Sequence, residues 1–596
     1  MKITSHLESN RTCLLIFLGG IFLTSTFSAL ADDPRTNSWL TTYAGKYARI
    51  YTSDMNKTNG VSETAWTNNT GGTIQTLPVY CGVQEIYSSS NWVYLRSSGL
   101  ASHVMGPWYL NAAHTQPFPN YPTNEHVLYK IPRNPTVPAT KTSNSGGAIG
   151  YFVDGVAMFN SWDAYYWNGA TNVQGGGSGS SWNRDAYVNE GVSFDPNNAH
   201  QAGGQHHYHA NPPALRYLLG DHVDFNSVTK AYTESTNPPT KHSPILAWVG
   251  DGFPVFGPYG YSVSNDASSG VRRMISGYVL RNGQYGSDNL TNTLRTNSPA
   301  WAVRLYGTNS PGPTNLSFYP VGMYMEDNAW LGDLTNPATS QKYVQGVDFD
   351  LDEYNGRWCV TPEFPNGTYA YFVAISSNGT PVFPYNIGRG YYGDPTGGTA
   401  TISEPVVTNF LGGPDAAPSL NSPAVNSGTV TLSWSANEGG TYMVQSTTNF
   451  STWTTNSTAV AAVLNAASYA SNSTNNYRFY RVGQTALAAY DSPGTGGYTP
   501  TFYSYSPGGS ATRGTTVTVT NTLAVPPPSP QLTAPLPTVT LAGSITGSGI
   551  SHPATNIVVC TFAIPTNSVT GSQNIIITFG NGSLPPPWTN TFTINP

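Results

Sequence analysis

The chain has 596 residues, enough for several domains, yet only 9% of them are charged and the formal net charge is -6. No Lys or Arg run offers an electrostatic footprint for nucleic acid, which argues against such a partner. Abundant Tyr, Gly, Asn, Thr and Ser with so few charges are the surface chemistry of an exported β protein.

From the N-terminus, Lys2 and Arg11 precede the apolar run Leu14 to Leu23, and Ala29-Leu30-Ala31 supplies small residues where a signal peptidase reads. Residues 1–31 are expected to be a signal peptide cleaved after Ala31, because the apolar run is short for a membrane span of roughly 20 residues. No later stretch reads as a transmembrane helix. The mature chain is expected outside the cytoplasm, in the periplasm, at the cell surface or released. Cys81 and Cys359 could pair there and close two distant parts of the main region together, whereas Cys560 in Ile557-Val558-Val559-Cys560 reads as a small core residue.

Residues 32–411 carry short β-branched and aromatic runs broken by turn residues, with hardly any sustained helical period. They predict a large Tyr/Gly-rich, mostly β domain with long loops. Gly175 to Ser181 reads as a Gly/Ser loop and lacks the following helix and Lys of a phosphate cradle. A boundary is expected near Gly412 to Pro418. Beyond it, residues 418–485 resemble a fibronectin III-like sandwich and residues 498–596 an immunoglobulin-like one, each with alternating strands and no assigned chemistry. Pro526 to Pro530 reads as a stiff loop.

Chemistry concentrates in Gly203-Gly204-Gln205-His206-His207-Tyr208-His209-Ala210-Asn211. In extended backbone alternate side chains share a face, so His207 and His209 point one way while His206 and Tyr208 point the other. Neutral imidazole is a ligand for zinc, copper and iron, and His207 with His209 form the core of a candidate metal site. The competing reading is a set of stacked, hydrogen-bonded structural histidines. His200, His242 and, with less support, Asp251 are further candidate ligands; Asp251 precedes Gly252 and suits a turn cap equally well. Asp195, Glu190 and Asn211 could accept the second N–H of a ligand imidazole, and His206, Tyr208 and Tyr261 could line the pocket.

The stretches Trp182 to Gly191, Ala199 to Gly204, Gly155 to Asn160, His242 to Tyr261 and Leu351 to Phe372 together resemble the YHYH-domain family over about residues 75–395, with His206 where the family has its first Tyr. The resemblance implies a domain and leaves the reaction open. Other chemistries are weakly supported: no Gly-x-Ser-x-Gly elbow is present, and Glu353 with Glu363 is a poor glycosidase pair. Asp350-Leu351-Asp352-Glu353 leaves calcium as an alternative ion. The sequence thus supports a secreted or surface metal-binding protein with enzymatic chemistry undefined. The alternative is a noncatalytic adhesive protein that binds polysaccharide through its 14 Trp and 38 Tyr.

Overall fold

The computed structural model describes residues 33–492 except 69–73, 176–181, 287–294, 417, 422, 448–451 and 473–478, and beyond 492 only strand backbones between 510 and 595. The expected signal peptide, the Gly/Ser loop after Gly175 and the Pro526 to Pro530 stretch lie outside the described residues.

The protein is mostly β, and among the described residues helices are short, Ala300–Tyr306 being a seven-residue example. No described helix is long and apolar enough to cross a membrane. The main region is organised by an eight-stranded sheet. In chain order its strands are β1 (Gly150–Phe152), β2 (Ala157–Met158), β3 (Ala199–Ala202), β4 (Gln205–Tyr208), β5 (Ile245–Val249), β6 (Pro254–Phe256), β7 (Gly356–Cys359) and β8 (Thr368–Phe372). They lie in the order β7-β8-β6-β5-β1-β2-β4-β3, so the histidine hairpin β3-β4 is at one edge.

The central strands β5, β6 and β8 are buried at every position. That explains why Ile245-Leu246-Ala247-Trp248-Val249 reads as a continuous apolar run with no polar alternation: both faces of the strand are covered. A second, five-stranded sheet of Gly398–Thr399, Val127–Pro132, Trp92–Ser97, Val83–Ser88 and Val407–Leu411 contributes Ile86, Val93, Leu95 and Ile131 to the same apolar core as Phe152, Val249, Phe256 and Phe372. The histidine hairpin is therefore continuous with this core, to which it contributes Ala199 and Tyr208.

Two three-stranded sheets between Ala424 and Leu487 share a smaller core of Leu432, Trp434, Tyr442, Val444 and Val482. This unit is fastened to the main region through Glu438. Its carboxylate accepts from the Tyr47 backbone N–H at 2.8 Å and pairs with Arg49, and its carbonyl accepts from the Tyr80 hydroxyl at 2.9 Å. Farther on, strand backbones between Ser510 and Asn595 form one five-stranded and one three-stranded sheet. Cys560 falls in the strand Ile557–Ala563, whose side chains are not described.

One expectation is corrected. Cys81 and Cys359 are both free thiols, buried and unpaired with each other. Cys81 Sγ donates to the Tyr43 carbonyl at 3.3 Å, and burial pushes its pKa up to about 12 and that of Cys359 up to about 11. Both are inert packing residues at neutral pH.

Candidate metal centre

The centre is built by a hairpin. Strands β3 and β4 are joined by Gly203-Gly204 with φ of +63° and +120°, a two-residue turn with positive φ at both positions, which glycine adopts without steric cost. The turn sets the register Ala202 to Gln205, Gln201 to His206 and His200 to His207. Residues directly opposite on an antiparallel pair share a face, so His200 lies beside His207. His209, two residues on, joins the same face. One ligand atom from each of His200, His207 and His209 lies within 4.8 Å of the others, and all three residues are buried.

The proton inventory of these rings is determinate. His207 Nδ1 lies 2.9 Å from the Gln205 carbonyl and His209 Nδ1 lies 2.8 Å from the Asn160 carbonyl. A carbonyl oxygen can only accept, so both Nδ1 atoms carry hydrogen. His200 Nδ1 lies 2.8 Å from Ser193 Oγ, whose single hydrogen is already donated to the Glu190 carbonyl at 2.7 Å. His200 Nδ1 is thus a donor as well. Neutral imidazole protonated at Nδ1 presents a bare lone pair at Nε2, and burial holds all three rings neutral: the pKa of His209 is lowered to about 4, and those of His200 and His207 fall well below the ordinary value.

Two of those lone pairs face each other, with His207 Nε2 only 3.0 Å from His209 Nε2 and no proton to share. A cation between them would relieve the repulsion. Two ligands about 2.1 Å from one ion, subtending tetrahedral to right angles, lie roughly 3.0–3.4 Å apart, so the spacing suits a shared metal. Packing fixes the ring planes: Phe159 stacks on His207 with centroids 3.7 Å apart, and Phe194 stacks on His209 at 5.3 Å. The donor set fits a transition metal.

A short helix, α1 (Ala186–Glu190), delivers a carboxylate to the rim. Its N-cap is Asp185, whose Oδ1 accepts from Val188 N at 3.2 Å and whose two oxygens accept from the Tyr385 hydroxyl at 2.9 and 2.8 Å. The following turn, Gly191–Ser193, brings Ser193 back to His200. Glu190 Oε2 sits 3.6 Å from His209 Nε2 and 3.7 Å from His200 Nε2. Burial, reinforced by the nearby Asp163 charge, pushes its pKa up to about 8, so with no cation beside it the carboxyl keeps its proton at neutral pH.

The triad and Glu190 form one wall of a cleft of about 410 Å³, whose other lining includes Leu110, Phe118, Trp162, Asp163 and Val192. A ligand in this cleft would meet the histidine edges that bear the lone pairs.

The remaining candidate residues sit elsewhere. His242 is not brought to the triad: its Nδ1 bonds the Ser243 carbonyl at 2.7 Å and its ring packs among Phe256, Tyr261 and Phe372. Asp251 is not a ligand here either; its carboxylate accepts from Tyr371 Oη at 2.6 Å, Gly393 N at 2.9 Å and Phe253 N at 3.1 Å, which is the turn-capping role. Both flank β5, and strands β1 and β2 lie between β5 and the edge hairpin. Tyr261 accompanies His242. Asp195 takes Gly106 N and Asn197 N at 2.9 and 2.8 Å and so shapes the loop ahead of His200. Asn211 accepts from Arg216 at 3.1 Å. His206 and Tyr208 point into the opposite face, Tyr208 donating to Asp154 at 2.9 Å and His206 packing edge-on to Trp108. Ser193, Asn160 and Phe159, which orient the triad, were not singled out for the site by the sequence; two of them act through elements distant in the chain, and only Phe159-Asn160 fell within a recognised motif.

Fold and site together define a β-rich protein with a buried three-histidine group that could hold a metal ion. Residues 128–383 match the family described as YHYH protein, a narrower span than the resemblance implied and one that contains the hairpin, α1 and the cleft's Phe159 and Trp162. No curated protein matches the chain.

Proposed function

We propose that this is an exported metalloprotein in which His200, His207 and His209 hold one zinc, copper or iron ion through Nε2, and that the adjoining cleft admits a small ligand to it. The observation that carries this reading is the proton inventory: three buried imidazoles all spend their N–H on fixed acceptors and direct bare nitrogens toward one another. Ligand imidazoles ordinarily donate their second N–H in this way.

An ion held by three imidazoles supplies Lewis acidity toward an oxygen or nitrogen atom of a ligand at its remaining position. The chain's own contribution is then orientation and proton handling. Gln205, Asn160 and Ser193 fix the tautomers, Phe159 and Phe194 fix the planes, and Glu190 Oε2 is placed to hold or accept a proton at the mouth of the cleft. The apolar lining from Leu110, Phe118, Trp162 and Val192 favours a ligand with a nonpolar portion. Hydrolytic and oxidative reactions both suit such a site. The two C-terminal β units, read as fibronectin III-like and immunoglobulin-like modules, would space or tether the metal domain, and export rests on the N-terminal pattern of charge, apolar run and small residues.

Adhesion through surface aromatics has less support, because Trp108, Trp182, Trp248 and Trp434 are all spent in cores. Metal content of the untagged protein, measured by mass spectrometry beside a His207→Ala/His209→Ala variant, tests the proposal. One equivalent in the first and none in the second is expected. Equal metal in both, or none after reconstitution, overturns it.

A further inference from the structure

Two arms of hydrogen bonds run from one buried segment, residues 385–389, to two different histidines of the centre. The segment is fixed from behind. Ile387 belongs to the main apolar core, Gly388 N donates to the Tyr354 carbonyl at 2.9 Å, and a Cβ at Gly388 would lie 2.4 Å from the Glu353 carbonyl, so only glycine fits there. In the first arm the Tyr385 hydroxyl holds Asp185, the N-cap of α1, and the turn after α1 presents Ser193 to His200. In the second, Arg389 Nη1 donates to the Asn144 carbonyl and, at 2.9 Å, to the Asn144 side-chain oxygen. Asn144 donates in return, from its backbone N–H to the Arg389 carbonyl at 2.9 Å and from its amide to the Gly388 carbonyl at 2.7 Å. Asn160 Nδ2 then donates to Asn144 Oδ1 at 3.0 Å and to the Ser145 carbonyl at 2.9 Å, while Asn160 Oδ1 accepts from Trp162 N at 2.9 Å. With its side chain tied at both ends, Asn160 offers the backbone carbonyl that accepts from His209 Nδ1 at 2.8 Å. Asn144, Asn160, Asp185, Tyr385 and Arg389 are all buried, which makes these bonds costly to break.

The position of that carbonyl matters because His209 has a second way to satisfy itself. With its hydrogen on Nε2 it would donate across the 3.0 Å gap to the bare Nε2 of His207 and close the pair without an ion. That tautomer turns a lone pair of Nδ1 toward the Asn160 carbonyl, a repulsive contact at 2.8 Å. Holding the carbonyl in place therefore selects the tautomer able to bind an ion. We propose that Tyr385 and Arg389 are positioning residues for the metal centre: acting through Asp185 and through Asn144 and Asn160, they keep His200 and His209 in the Nδ1–H form with Nε2 bare. His207 needs no such help, since its acceptor, the Gln205 carbonyl, lies two residues away on its own strand. The effect on metal affinity rests on the metal-centre reading, whereas the tautomers are a property of the metal-free protein.

Long-range proton–nitrogen correlation spectra of the full chain with isotope-labelled histidine, recorded without metal, distinguish Nδ1–H from Nε2–H rings. Wild type should show Nδ1–H at His200, His207 and His209. Asn160→Ala should shift His209 toward Nε2–H and Tyr385→Phe should do the same to His200, with His207 unchanged in both. Asn144→Ala and Arg389→Ala should repeat the His209 effect from farther along the arm, and either one decides the matter where Asn160→Ala does not fold. Tyr371→Phe is the control: it breaks an equally buried tyrosine–aspartate bond, to Asp251, away from the hairpin, and should leave all three rings as they are. Metal affinity by chelator competition should fall about tenfold in Asn160→Ala and Tyr385→Phe and hold in Tyr371→Phe. An unchanged His209 in every folded variant of the second arm, an unchanged His200 in Tyr385→Phe, or the same shifts in Tyr371→Phe overturns the proposal. Tautomer shifts as expected in a protein that takes up no metal would support the positioning role and sink the metal reading instead.

Discussion

His207 Nε2 and His209 Nε2 face each other at 3.0 Å, each a bare lone pair because its ring has committed its hydrogen to a backbone carbonyl on the far side. A structural stack would alternate donor and acceptor. This pair does not, and a cation placed between the two nitrogens would relieve the opposition of their lone pairs.

The ligand set follows directly. His200→Ala, His207→Ala and His209→Ala should each lower metal affinity by a hundredfold or more, roughly 3 kcal/mol, while His242→Ala and Asp251→Asn should leave metal content unchanged because both side chains are engaged elsewhere. Equilibrium competition with a chelator measures the five variants on one scale. Loss of metal in the His242 variant with retention in the His200 variant would reverse the assignment.

Ser193→Ala removes the acceptor that fixes the His200 tautomer and leaves the histidine's Nε2 free to take the hydrogen instead. The expected cost is about 10–100-fold in metal affinity, as for other supporting partners of ligand histidines. Thermal stability of the metal-free protein should change little, which separates this effect from misfolding.

Much of this site follows from local rules. A period of two puts His207 and His209 on one face, and a Gly-Gly turn with positive φ fixes His200 opposite His207. Glu190 and Ser193 belong to a helix and turn whose docking on the hairpin depends on the Asp185 cap and its bond to Tyr385, 200 residues away in sequence. No pattern in the neighbouring sequence announces that contact. His242 and Asp251 are not brought to the triad: they bracket a fully buried strand, where Asp251 caps the turn and His242 packs among aromatic rings. The continuous apolar runs were legible as buried strands, but their order in the sheet, with the hairpin at its edge, is a nonlocal property.

The same turn can be used as a lever. Gly204 has φ of +120°, where an L side chain is strained, so Gly204→Ala should cost about 1–3 kcal/mol. Because the turn sets the His200 to His207 register, metal affinity should fall together with the midpoint of urea unfolding. An alanine variant with native stability and native metal affinity would show that the register is held by the strands without help from the turn.

Acid sensitivity should come partly from His103, a fully buried ring with neither nitrogen hydrogen-bonded and a pKa lowered to about 3 by burial. In the unfolded chain this histidine takes a proton as the pH falls below about 6.5, and in the folded protein it does not until about pH 3. The folded state therefore loses stability progressively from about pH 6.5 downward. His103→Leu removes that contribution, and between pH 6.5 and 4.5 the variant should gain roughly 2–3 kcal/mol relative to wild type. Denaturant unfolding of both proteins across this range measures the difference; parallel curves would show that His103 is not the group responsible.

X-ray absorption at the metal edge of the reconstituted protein tests the central claim most directly. Three imidazoles bound through nitrogen at about 2.0–2.1 Å, with the metal edge lost from the His207→Ala/His209→Ala variant, are the predicted result. A bound metal surrounded by oxygen with no imidazole scattering, or a spectrum unchanged by the double substitution, would contradict a centre built on His200, His207 and His209.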